Sequence, residues 1–191
     1  MRRTLTLLAS AAALVVAAPL AASAKTSCNV VPDKADDTTF VPGAGAVLKT
    51  PTVDIRAIDV ATGRKTVVLV LRLASTDAST DPIPDGGSWN ASFAIGDVRY
   101  DFGRRVTSSG EQSFSATSGG RAIAGVKGAV TGGAVTWTAP RAGIKMLKRG
   151  SILTGFTSAA STAGFTDYAP DGGSASTAKY VEGTRSCVKA L

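Results

Sequence analysis

The chain has 191 residues, of which 44% are hydrophobic and 18% charged, with two cysteines and no histidine. This length predicts one medium-sized domain, because it exceeds a small disulfide-knotted domain and falls short of two domains with a linker. Without histidine the protein lacks the side chain used by His-based catalytic triads and by imidazole-ligated zinc, copper and haem. The 21 basic and 14 acidic residues give a formal net charge of +7.

The first 24 residues have the pattern of a secretory signal peptide. Two arginines precede an apolar run from Leu5 to Leu20, and Ala22 to Ala24 form a small-residue cleavage site. The run is shorter than the roughly 20 residues that span a bilayer, so cleavage is favoured over a membrane anchor. We expect residues 25–191 to form a single secreted domain with a charge of about +5 and no membrane span, since only the two leader arginines are removed.

Cys28 lies near the start of the mature chain and Cys187 near its end. In an exported protein, two cysteines without a spare predict one disulfide that joins the chain ends. A reactive thiol pair is disfavoured, because it would need a C-x-x-C spacing and a basic neighbour.

Apolar residues alternate with a period of two from Val53 onward, which predicts β-strands, and helical spacing is scarce. Both faces of 65–74 are apolar, which indicates a central strand, and Gly96-Asp97 is the turn of a clear hairpin. The predicted strands are 53–60, 65–74, 89–95, 98–102, 112–117, 121–130, 134–138, 151–159 and 178–182, with a loop over 75–87. The spacing predicts an all-β antiparallel sandwich with Trp89 and Trp137 in its core.

Residues 140–150 break the alternation and predict a short helical turn near 141–149, ended by Gly150. In such a turn Lys145, Lys148 and Arg149 would lie on one side. They would form either an anion-binding patch or a solvated face.

The order of these signals resembles the DOMON-like superfamily of β-sandwich modules, related to family-nine carbohydrate-binding modules, in a secreted bacterial form. The resemblance spans residues 30–183 and depends on short motifs. They are the Val31-Pro32-Asp33 start, the Val-Asp-Ile sequence at Asp54, the strand ending in Pro140, and Thr166 to Gly173 before Tyr180. The resemblance implies a jelly-roll-like sandwich that binds sugars or haem. Haem is not expected, because histidine is absent and Met146 is the only methionine after the leader.

Several aspartates are candidate metal ligands. Asp33, Asp36 and Asp37 lie in a polar N-terminal segment, Asp54 interrupts an apolar stretch, and Asp167 and Asp171 lie in a predicted Pro/Gly-rich loop. A disulfide between the chain ends could bring them together, and oxygen ligands of this kind suit Ca²⁺. The predicted calcium ligands are Asp33, Asp36, Asp54 and Asp167. Alternatively, these acids cap turns and accept hydrogen bonds from backbone amides.

The function predicted from the sequence is that of a secreted, non-catalytic binding module for an extracellular glycan or an anionic envelope polymer. Tyr168 and Tyr180 are the aromatic residues most available to a ligand. The alternative is a structural or adhesive envelope protein that acts through protein contacts. An enzyme is not expected, because the two glutamates, Glu111 and Glu182, stand in no recognisable catalytic context. Nucleic acid is not expected either, since the arginines after the hairpin lack interleaved exposed aromatics.

Overall fold

Two antiparallel β-sheets form the computed structural model, which describes residues 28–40, 51–76, 86–162 and 164–191. The strands are β1 (Val31–Pro32), β2 (Thr39–Phe40), β3 (Ile55–Thr62), β4 (Thr66–Leu73), β5 (Gly87–Ile95), β6 (Val98–Val106), β7 (Gln112–Ser118), β8 (Arg121–Ala122), β9 (Lys127–Thr131), β10 (Ala134–Pro140), β11 (Ile152–Thr162), β12 (Phe165–Ala169) and β13 (Tyr180–Val181). The predicted signal peptide, residues 1–24, and positions 77–85 of the predicted loop lie outside the described residues. Within the described ranges, no helix is long and apolar enough to cross a membrane.

One sheet has five strands in the order β1-β3-β4-β10-β9. The other has eight, in the order β2-β12-β11-β5-β6-β7-β8, with β13 added to β11. This arrangement confirms the predicted all-β sandwich. The helical turn expected near 141–149 is confined to one 3-10 turn, Arg141–Gly143, and a second 3-10 turn spans Asp171–Gly173. The predicted cations Lys145, Lys148 and Arg149 lie beyond this turn. The expectation that a helical turn places them on one side is therefore wrong.

The core lies between the sheets and confirms the predicted burial of both tryptophans, neither of which is exposed. The indole N–H of Trp89 donates to the carbonyl of Thr52 at 2.8 Å, and that of Trp137 donates to the carbonyl of Gly103 at 2.9 Å. The guanidinium of Arg104 lies 4.0 Å from the centroid of the Trp89 ring, a cation–π distance. Both large side chains are thus buried with their single polar group satisfied.

The chain's C-terminal segment covers the outer face of the five-stranded sheet. Val68 and Val70 of β4 are buried there and pack with Val188 and Ala190. This segment is joined to the start of the domain by the disulfide between Cys28 and Cys187, which confirms the predicted pairing. The two apolar faces of β4 are explained by this arrangement, since one face meets the core and the other meets the segment.

One predicted strand and one predicted loop are wrong. The single strand expected over 121–130 is divided into β8, which pairs with β7, and β9, which pairs with β10 in the opposite sheet. Gly125 between them has φ 74°, a left-handed conformation that a continuous strand does not adopt. The loop expected around Asp167 contains β12, in which Phe165, Asp167 and Ala169 face inward. Because a buried aspartate breaks the apolar alternation, the sequence pattern does not reveal this strand.

Candidate functional site

Three aspartates converge where the two sheets meet beside β1, β3 and β12. One carboxylate oxygen from each of Asp33, Asp37 and Asp167 lies within 4.8 Å of the other two. The main-chain N–H of Asp33 donates to the carbonyl of Arg56 at 3.0 Å, which fixes the end of β1 against β3. We refer to Asp33, Asp37 and Asp167 as the carboxylate cluster.

Backbone amides hold Asp167 in place. Its Oδ2 accepts from the N–H of Ile55 at 2.7 Å and its Oδ1 accepts from the N–H of Tyr168 at 2.8 Å. The first bond joins β12 of the eight-stranded sheet to β3 of the five-stranded sheet. Asp167 is only 4% exposed, so these two bonds satisfy a carboxylate that is almost fully buried.

The other two cluster members have buried oxygen atoms without partners. Oδ2 of Asp33 and Oδ1 of Asp37 accept no hydrogen bond within the described part of the chain. Burial, followed by the charges of Asp167 and Asp37, raises the pKa of Asp33 to about 7. Burial, followed by a hydrogen bond with Asp171, raises the pKa of Asp37 to about 6. Burial also raises the pKa of Asp167, although its two amide bonds oppose the change.

Of the four acids predicted as calcium ligands, the structure brings together Asp33 and Asp167. The cluster is completed by Asp37, an acid of the polar N-terminal segment that is not among the predicted calcium ligands. Asp36 and Asp54 instead contact the Arg56 guanidinium, at 3.4 Å and 2.8 Å. The φ of 59° at Asp36 marks a sharp turn between these neighbouring carboxylates, a local geometry that charge patterning does not predict.

The dimensions of the carboxylate cluster suit a hard cation. Oxygen ligands lie about 2.3–2.6 Å from Ca²⁺, so two of them can be at most about 5 Å apart. The 4.8 Å spread of the three oxygens falls within that limit. The unpartnered oxygens of Asp33 and Asp37 could bind a cation, whereas those of Asp167 already accept amide hydrogens.

A groove lies on the outer face of the eight-stranded sheet, where Tyr168 follows Asp167 in β12. Tyr168 forms one side and is 43% exposed. The cross-strand neighbours in its row are Ala159, Asn90 and Gly103, whose small or polar side chains leave space beside the ring. The groove has a volume of about 220 Å³, below that of pockets for drug-sized ligands. We refer to it as the tyrosine groove.

Hydrogen bonds organise the floor of the tyrosine groove. Arg99 donates to the hydroxyl oxygens of Ser92 at 2.8 Å and Thr157 at 3.1 Å, and to the carboxylate of Asp101 at 2.7 Å. The two hydroxyls are also 2.7 Å apart. This network fixes the exposed side chains of Arg99 and Asp101 beside the aromatic ring, while Ser92 is buried beneath them. These floor residues occupy outward positions of predicted strands, but no motif in the sequence marks them as ligand contacts.

The remaining predicted ligand-binding residues have different surroundings. Tyr180 is only 1% exposed, and its hydroxyl donates to the carbonyl of Thr184 at 2.7 Å. The expectation that Tyr180 meets a ligand is therefore wrong, because it pairs with buried Leu153 and points into the core. Lys145, Lys148 and Arg149 are exposed, as expected for either a patch or a solvated face.

Comparison of the chain with protein-family models, curated proteins and solved structures finds no match. The fold defines a disulfide-closed β-sandwich.

Proposed function

We propose that the protein is an exported, non-catalytic binding module that holds an extracellular glycan in the tyrosine groove and Ca²⁺ at the carboxylate cluster. The observation that carries this proposal is the exposed Tyr168 ring beside the hydrogen-bonded floor of Arg99, Ser92 and Thr157. The signal-peptide pattern of residues 1–24 and the resemblance to DOMON-like modules support export and binding. The disulfide is compatible with an oxidising compartment.

A glycan suits the groove because a sugar has an apolar ring face and a rim of hydroxyl groups. The Tyr168 ring offers an apolar surface for the face, and the polar floor offers donors and acceptors for the rim. Within the described residues, Tyr168 is the one aromatic side chain among the large exposed apolar residues. The small volume of the groove favours a single sugar unit of a longer chain over a whole oligosaccharide.

Calcium suits the cluster because the three carboxylate oxygens lie as close together as ligands of one Ca²⁺ do. In addition, Asp33 and Asp37 each have an oxygen that accepts no hydrogen bond within the described residues. Asp33 and Asp37 would supply the free oxygens, Asp167 would add charge from its fixed position, and water or carbonyl oxygens would complete the six to eight ligands. A bound cation would also offset the repulsion among acids that lie within 4.8 Å of one another.

A glycan array with residues 25–191 in calcium-containing buffer tests the proposal, followed by titration calorimetry with the best ligand. Tyr168→Ala should weaken binding about tenfold, since it removes an aromatic contact of about 1–2 kcal/mol. Ile152→Ala is the matched control, because Ile152 is exposed to a similar extent, 49%, and lies outside the groove. If no glycan on the array is bound, or if both variants lose the same affinity, the proposal is contradicted. Concentration-dependent association in ultracentrifugation would then favour the structural alternative.

A further inference from the structure

A group of cations lies at the opposite end of β3 from the carboxylate cluster. Two adjoining clefts, of about 1090 and 500 Å³, open there around the turn between β3 and β4. Arg64, Lys65 and Arg141 line both of them. Arg149 lines the larger cleft and Lys145 the smaller. We refer to these five residues as the basic end.

The walls of the two clefts are held by Arg141. Its guanidinium donates to the carbonyl of Gly63 and to Oε1 of Glu182, both at 2.9 Å. Its main-chain N–H donates to the carbonyl of Lys65 at 2.8 Å. The turn after β3 is therefore fixed to the segment after β10 and to the segment after β13. Gly63 is needed at this turn, because a Cβ there would collide with the main chain of Leu191.

Among the described side chains that line the clefts, the cations outnumber the acids. Glu182 is the one acidic side chain among the described residues that line the clefts, and it is bonded to Arg141. Arg64, Lys65, Lys145 and Arg149 are exposed and form no ion pair or side-chain hydrogen bond with the described residues. Several like charges around one concave surface produce a positive potential that attracts anions.

The arrangement favours a chain of anionic groups over a single small anion. Each exposed cation contributes little on its own, because solvent and salt screen its charge. Clefts that share Arg64 and Lys65, both without an ion pair among the described residues, can instead bind successive anionic groups of one chain, and several weak contacts then add together. Arginine also forms paired hydrogen bonds with phosphate and carboxylate.

We propose that the basic end binds a linear polyanion with repeated phosphate or carboxylate groups, at a site separate from the tyrosine groove. The candidate patch predicted from the sequence comprises Lys145, Lys148 and Arg149. The fold adds Arg64, Lys65 and Arg141, which come from distant parts of the chain, and leaves Lys148 outside the lining residues.

Titration of residues 25–191 with inorganic polyphosphate and with polygalacturonate at low salt tests this proposal and distinguishes the two anionic groups. Arg64→Ala/Lys65→Ala and Lys145→Ala/Arg149→Ala should each weaken binding about tenfold. The control is Arg121→Ala/Lys127→Ala, which removes the same charge from exposed positions outside both clefts. Circular dichroism would verify that each variant is folded.

Binding of either polymer that is lost in the two cleft variants and retained in the control supports the site. The polymer that binds identifies the anionic group. The absence of binding to both polymers, or an equal loss in the control, would overturn the proposal. Tyr168→Ala should leave polyanion binding unchanged, so failure of the glycan proposal is distinguishable from failure of this one.

Discussion

Replacement of Asp37 by Asn should stabilise the calcium-free protein at neutral pH while it removes stabilisation by calcium. Asp37 has its pKa raised to about 6 from 3.8, mainly by burial. A rise of this size in the pKa corresponds to about 3 kcal/mol of unfolding free energy at neutral pH. Because Asp37 is partly exposed, solvent screening reduces the expected effect to about 1 kcal/mol. Asn retains the shape of the side chain and removes the charge, so the calcium-free variant should be more stable than the wild type by about this amount.

The effect should depend on pH in a defined direction. Between about pH 4 and pH 7, the folded chain retains protons on Asp33 and Asp37 that the unfolded chain has released. The contribution of these groups to the free energy of unfolding therefore falls as pH rises through this interval. The gain from Asp37→Asn should be near zero below about pH 4 and should approach its full value near pH 7.

Urea unfolding followed by tryptophan fluorescence, from pH 4 to pH 7.5 with EDTA or with calcium, measures both effects. Calcium at about 100 times its dissociation constant should add about 2.7 kcal/mol to the wild type at pH 7 and much less to the variant. Asp97→Asn is the control, because Asp97 is an exposed acid in the hairpin turn. A destabilised variant at pH 7 in EDTA would refute the electrostatic reasoning. Equal calcium effects in wild type and variant would refute the assignment of calcium to the cluster.

Three further changes test the fold. Replacement of both Cys28 and Cys187 by Ser should lower the free energy of unfolding by about 4–5 kcal/mol in chemical denaturation, because the disulfide closes a loop of 159 residues. A loss no larger than that caused by a surface substitution would contradict this. Asp59→Ala should lower the free energy of unfolding by about 2 kcal/mol, because it removes the fully buried carboxylate that Arg72 contacts at 3.2 Å. This loss is smaller than for a fully buried pair, because Arg72 is partly exposed. Restored stability in Asp59→Ala/Arg72→Met would confirm that the unpaired charge is the cause. Trp137→Ala should lower the free energy of unfolding by about 3–5 kcal/mol, because it leaves a cavity in the core. A thermal midpoint close to that of the wild type would refute the place of Trp137 in the core.

The long strands are predictable from alternation alone. The alternation predicts β3, β4, β5 and β7 close to their observed bounds, because inward apolar side chains alternate with outward polar ones along most of them. It also predicts the start of β6, which continues to Val106 beyond the predicted end at 102. The short strands β1 and β2 were missed because two residues carry no period. The region 121–130 reads as a single strand in the sequence, because apolar content does not show where a chain passes from one sheet to the other.

The candidate site could be predicted only in part. Clustered aspartates at both ends of the domain, together with the cysteine pair, were sufficient to expect that carboxylates would meet. Which of them meet is decided by the turn at Asp36 and by the position of Arg56, whose contacts hold Asp36 and Asp54 outside the cluster. The basic end was harder to predict, because its cations come from turns that are adjacent only after the sheets have formed.

The carboxylate cluster and the tyrosine groove are joined by two neighbouring residues of β12, which makes coupling between them a physical expectation. The N–H of Tyr168 donates to Oδ1 of Asp167 at 2.8 Å, and a Cβ at Gly173 would lie 3.4 Å from Cδ1 of Tyr168. A cation bound by Asp37, whose carboxyl group is hydrogen-bonded to Asp171, would hold the Asp171–Gly173 turn against the Tyr168 ring before a sugar arrives. Because binding free energies are linked, calcium and glycan should strengthen one another's binding by the same factor. Calorimetric titration of each ligand in the presence of the other measures that factor, and unchanged affinities would show that the sites act independently.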